Sequence, residues 1–134
     1  MAFPLYRARY RVLVLKDEAP ANPELPVTAI CIEKNIVGRG RTEPEALEDL
    51  DRTFLETVHY QIENLAPAPV TDPDPALLAA FGDPSQGTID GDIILNRLQM
   101  LVETDLHPAG RLLRKRAAQK APPSRVVYEE ACQV

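Results

Sequence analysis

The stretch Arg41–Leu65, RTEPEALEDLDRTFLETVHYQIENL, decides how the rest of the chain is read. Leu47, Leu50, Phe54, Val58 and Ile62 recur at spacings of three and four, with Ala46 and Leu55 beside them. That period is one apolar stripe on a helix. Asp49, Arg52, Glu56, Gln61 and Glu63 fall on the opposite side. Thr42 has the side chain of an N-cap, and Glu45 stands three residues on, at the spacing of a capping box. Pro44 falls in the first turn, where its missing N–H costs little. Glu43, Glu45, Glu48 and Asp49 suit the positive end of the helix dipole. Ala66 to Pro69 ends the pattern. A stripe of this length needs a sheet or a second helix to cover it.

Gly38-Arg39-Gly40 leads into the helix. Two glycines at such a corner allow either a positive φ or close backbone approach. Before them, residues 5–16 read as a strand, with Tyr6, Ala8, Tyr10, Val12 and Val14 on one face. Arg7, Arg9 and Arg11, then Leu13 and Leu15, lie on the other. Residues 17–26, with Pro20, Pro23 and Pro26, make a long polar connection. Val27 to Glu33 is a second strand, Lys34-Asn35 a turn, and Ile36 to Gly40 a short third strand. A three-stranded antiparallel meander with the helix across it is the economical arrangement.

Beyond the helix, residues 66–91 read as a proline-rich arm or linker. Within it, Asp74 caps a short helix over Pro75 to Phe81, stopped by Gly82-Asp83-Pro84. Ile93, Ile94, Leu98, Leu101 and Val102 then predict a second helix of about twelve residues, capped by Asp92. Val126 to Tyr128 read as a short terminal strand that adds to a sheet edge in this chain or a partner. The expected class is therefore α+β. A small antiparallel β-β-β-α sheet at residues 1–65 is covered by one long helix. Residues 92–134 form a helical C-terminal extension with the terminal strand.

The chain has 134 residues, a formal net charge of -5 and 26% charged residues. Its charge is unevenly spread: residues 41–104 carry 3 basic and 13 acidic side chains, residues 105–134 carry 6 and 3. Such asymmetry suits a basic partner or charge matching between subunits. No apolar run has the length of a membrane span, and a cytoplasmic location is the default expectation. Cys31 and Cys132 lack metal-ligand spacing. Aromatics are 5% with no Trp, so stacking platforms for nucleic acid are scarce.

The segment from Tyr10 to about Ile62 resembles the HicB-like domain family. The likeness lies in Tyr10-Arg11-Val12-Leu13-Val14, in Ala29-Ile30-Cys31-Ile32-Glu33, in Asn35-Ile36-Val37-Gly38-Arg39-Gly40 and in Thr42-Glu43-Pro44-Glu45-Ala46-Leu47. It covers under half of the chain. The resemblance implies a partly degraded ribonuclease-H-like fold without catalysis. It also implies an antitoxin that dimerises and covers a small basic toxin, which cuts messenger RNA.

For chemistry, the residues offer little. His59 and His107 have no cysteine at zinc spacing. Two-metal hydrolysis needs several carboxylates on strand ends, and Glu33 is the one acidic residue placed in a strand. No catalytic residue, metal site or cofactor is assigned, and the chain is read as a non-enzyme. Two surfaces remain. Glu45, Glu48, Asp49, Arg52 and Glu56 form an acidic helix face fit for a basic protein. Arg111, Arg114, Lys115, Arg116 and Lys120 can contact phosphates without reading bases. The expectation is a non-enzymatic interaction protein, a homo-oligomer with a dimer as first guess, possessing a small basic protein partner. The alternatives are a DNA- or RNA-binding transcriptional regulator and a structural or adaptor subunit of a larger complex.

Overall fold

The computed structural model describes residues 5–19, 22–64, 72–105 and 124–130. Its elements, in order, are β1 (Leu5–Lys16), β2 (Val27–Cys31), β3 (Ile36–Gly40), α1 (Glu43–Asn64), α2 (Pro75–Gly82), β4 (Thr88–Ile89), β5 (Asp92–Asp105) and β6 (Ser124–Glu130). The strands form one curled antiparallel sheet in the order β3-β2-β1-β5. Both β4 and β6 pair with the far edge of β5, β4 near its start and β6 along Leu98 to Thr104.

This overturns the expected class. The sheet is not a three-stranded β-β-β-α unit under one long helix, and there is no helical C-terminal extension among the described residues. Asp92–Asp105, expected as a helix, is the longest strand and lies inside the sheet. The physical cause is a bulge. Val14 pairs with Asn96 but Leu15 pairs with Ile94, so Leu95 is an extra residue on β5. A single extra residue reverses the side-chain parity. Ile94 therefore joins one face, while Leu98, Met100 and Val102 alternate onto the other. Spacings that look helical are two strand segments out of phase.

The two faces carry two cores. On one, Tyr10, Val12 and Val14 of β1 meet Val27, Ala29 and Cys31 of β2 and Leu98, Met100 and Val102 of β5. Ala46, Leu50 and Phe54 of α1 close over them, each at most 2% exposed. Phe54 meets the Tyr10 ring at 5.3 Å between centroids. The side chains of Val58 and Ile62, the far end of the expected stripe, lie outside the described set. On the other face, Leu13, Leu15, Ile32 and Ile89 pack with Ala80 of α2. Asp74 caps α2 by accepting from the N–H of Ala76 at 2.9 Å, with Pro75 at the first position.

Gly38 and Gly40 lie where β3 passes under α1. Neither has a positive φ; their role is close approach. A Cβ on Gly38 would stand 2.2 Å from the Leu50 backbone nitrogen, and one on Gly40 2.6 Å from that of Ala46. Positive φ falls instead at Asn35 in the β2–β3 turn and at Asp90 and Gly91 between β4 and β5. Asp-Gly with both residues at positive φ is the two-residue hairpin turn matched to sheet twist. Arg97 fixes α2 to the sheet. Its guanidinium donates to the carbonyls of Ala80 (3.1 Å), Asp83 (2.9 Å) and Gln86 (2.6 Å). These acceptors lie at the end of α2 and in the following loop, where helix carbonyls run out of intrahelical donors; the Asp83 carbonyl also accepts from the Gln86 N–H at 3.1 Å.

Candidate functional site

Helical spacing sets Glu45, Glu48, Asp49, Arg52 and Glu56 along one strip of α1, and the structure places them so. Four of them, Glu45, Glu48, Asp49 and Arg52, line a depression of about 460 Å³. The strip runs beside β3, the edge strand of the sheet, because the two glycines let strand and helix approach so closely.

That proximity divides the carboxylates into two kinds. Asp49 accepts from the backbone N–H of Arg39 at 3.0 Å and pairs with the Arg52 guanidinium. Glu45 accepts from the backbone N–H of Arg41 at 2.9 Å. Its own N–H donates to the Thr42 hydroxyl at 3.4 Å. Thr42 thus caps as expected, but Glu45 reaches one residue further back than a capping box does. The reason is that Arg41 follows β3 directly, and its amide faces away from β2. Both carboxylates therefore hold edge amides of the sheet. Glu48 and Glu56 are exposed and take no such bond among the described residues. Sequence alone could not separate the two kinds, since the Asp49 contact spans ten residues.

A second polar contact flanks the strip. The Tyr128 hydroxyl of β6 donates to the Asp51 carboxylate and lies 3.5 Å from the Leu47 carbonyl. Burial holds the Asp51 carboxyl above its ordinary range, and the charge of Glu48 adds to this, against the lowering effect of the Tyr128 bond. Burial likewise raises the Tyr128 hydroxyl, with the Asp51 contact in support. Neither residue stood out in the sequence.

The remaining candidates fall elsewhere. Glu33 lies past the end of β2 and takes the Arg11 guanidinium at 2.7 Å and the Arg11 N–H at 2.5 Å. It serves β1 as a structural partner. Cys31 is buried, and burial pushes its thiol up to about 12, the behaviour of an unreactive core thiol. His59 belongs to α1, but its side chain lies outside the described set. His107 and the basic residues Arg111, Arg114, Lys115, Arg116 and Lys120 fall outside the described residues. Among the described residues, no three His, Cys, Asp or Glu side chains are grouped to hold a metal. None of the described helices is long and apolar enough to cross a membrane.

Comparison with family models, curated proteins and solved structures gave no match.

Proposed function

We propose that this is a non-enzymatic interaction protein of the HicB-like type, whose acidic α1 face receives a basic segment of another protein. The observation that carries the reading is the depression lined by Glu45, Glu48, Asp49 and Arg52. Two of its carboxylates are already engaged by backbone, which fixes the walls. Glu48 stays unengaged, with Glu56 two turns along. A fixed wall with spare negative charge recognises Lys or Arg side chains at little ordering cost. The antitoxin role is the specific form of this reading, with a small basic mRNA-cleaving toxin as the partner.

The test is copurification from the native source, comparing wild type with E48K/E56K. Both positions are exposed, so the melting temperature stays within about 2 °C, as for surface changes of about 0.5 kcal/mol. The wild type brings down a small basic protein at fixed stoichiometry, and its ribonuclease activity is suppressed in the complex. The charge-reversed chain loses that protein. Full retention by E48K/E56K refutes the assignment of this face. A large multi-subunit complex in its place favours an adaptor subunit.

A further inference from the structure

The two edges of the sheet are treated differently. At the β3 edge, the outward amides of Arg39 and Arg41 are covered by Asp49 and Glu45. Covering an edge in this way prevents another strand from adding to it. At the opposite edge, β6 pairs with β5 and, among the described residues, with no other strand. Val126, Val127 and Tyr128 are each only half-buried there. A strand whose outer edge has no partner strand among the described residues is the arrangement that recruits another strand.

The sequence of β6, Ser124-Arg125-Val126-Val127-Tyr128-Glu129-Glu130, says which strand fits. Set it antiparallel to a second copy of itself, with the two-fold axis at Val127. Arg125 of each copy then falls opposite Glu129 of the other, and Val126 opposite Tyr128. Directly opposed residues share a face in an antiparallel pair, so both matches occur twice by symmetry. Within the chain, Arg125 already sits in register with Glu103, and Glu129 with Gln99. By register, residues of like charge are nowhere directly opposite along that row. Shifting the axis by half a residue sets Val126 opposite Val127, Arg125 opposite Tyr128 and Ser124 opposite Glu129, which abandons the charge match.

We propose that β6 pairs antiparallel with β6 of a second copy of this chain about Val127, joining two sheets into one. This surface is distinct from the acidic strip of α1, so either assignment stands without the other.

The experiment is mass in solution of the full chain by light scattering and sedimentation. The wild type runs at twice the 14.9 kDa chain mass. E129R places two Arg–Arg pairs across the axis and weakens the dimer by about tenfold or more, since like charges directly opposite destabilise. R125E does the same with two Glu–Glu pairs. Mixed together, the two variants regain the doubled mass as a heterodimer, because every Arg then faces a Glu. The chain carrying both R125E and E129R dimerises with itself. Circular dichroism checks that each variant is folded. If R125E unfolds because Glu103 lies across from it, E129R, which leaves Arg125 opposite Glu103, still decides the matter. A wild type at single-chain mass overturns the proposal, leaving the edge to a strand of different origin. So does an E129R dimer as tight as the wild type.

Discussion

Replacing Gly38 by alanine is the sharpest test of how α1 meets the sheet. The new Cβ would lie 2.2 Å from the Leu50 nitrogen, 2.5 Å from the Ala46 carbonyl oxygen and 2.6 Å from the Leu50 Cα. Carbon contacts are comfortable at about 3.5–4.0 Å, so the helix must retreat by more than about 1 Å. All three obstacles are backbone atoms, and no rotamer change relieves them. Retreat pulls Ala46, Leu50 and Phe54 away from Ala29, Cys31 and Tyr10, all parts of one core. Overpacking alone costs about 1–3 kcal/mol. A gap of that size also forfeits a quarter to a half of the dispersion of each contact it opens. Together these give a loss of about 3–5 kcal/mol, out of the roughly 5–15 typical of a domain. At roughly 3–4 °C per kcal/mol for a chain of this length, the melting temperature falls by about 10–20 °C. Urea titration with a thermal scan reads it. G82A is the control, because nothing lies within 4 Å of a Cβ there. It leaves stability unchanged or raises it by up to about 1 kcal/mol. A G38A chain within about 0.5 kcal/mol of wild type would refute the packing of α1 against β3.

Arg97→Ala removes the donor shared by the carbonyls of Ala80, Asp83 and Gln86. A loss of about 2 kcal/mol is expected, with faster hydrogen exchange confined to α2 and the loop after it. Unchanged exchange in α2 contradicts the role given to Arg97. Asp51→Asn keeps an acceptor for Tyr128 but cannot ionise. The Asp51 carboxyl is raised in the folded chain, so the fold holds its proton more tightly than the unfolded chain does. Stability from this group is therefore complete below the ordinary value of 3.8 and declines as pH rises through the raised folded value. Urea midpoints of the variant relative to wild type should rise across that window and level off above it. A difference that is flat with pH refutes the cause assigned. Phe54→Ala empties the centre of the larger core and costs about 3–5 kcal/mol by the same titration.

The elements that could be read from the sequence are those whose side chains obey one period throughout. Tyr10, Val12 and Val14 alternate without interruption in β1, and Ala46, Leu50 and Phe54 repeat at four in α1. Asp74-Pro75 announced α2 by its cap. The β5 strand was hidden because Leu95 breaks its alternation, leaving Ile93, Ile94, Leu98, Leu101 and Val102 at helical intervals. One signal pointed the other way: Asp90-Gly91 between Thr88-Ile89 and Asp92-Ile93 is a hairpin turn in miniature. Reading Asp92 as a helix cap concealed it. At the acidic face, charge and helical spacing were legible. The use of Glu45 and Asp49 to cover β3 was not, since it depends on how near the two glycines bring strand and helix. The link from Asp51 to Tyr128 spans 77 residues, and no local pattern announces it.

The position of β5 also fixes an order of events during synthesis. β1 is made well before β5, its partner along its full length, with Arg9 meeting Gln99 ninety residues later. At roughly 5–20 residues per second, that wait is about 5–18 s. Throughout it the nascent meander leaves the edge of β1 that β5 will take unpaired. Closing so long a loop is slow for a chain of this size, and until it closes the half-sheet carries an open edge of the kind that invites mispairing.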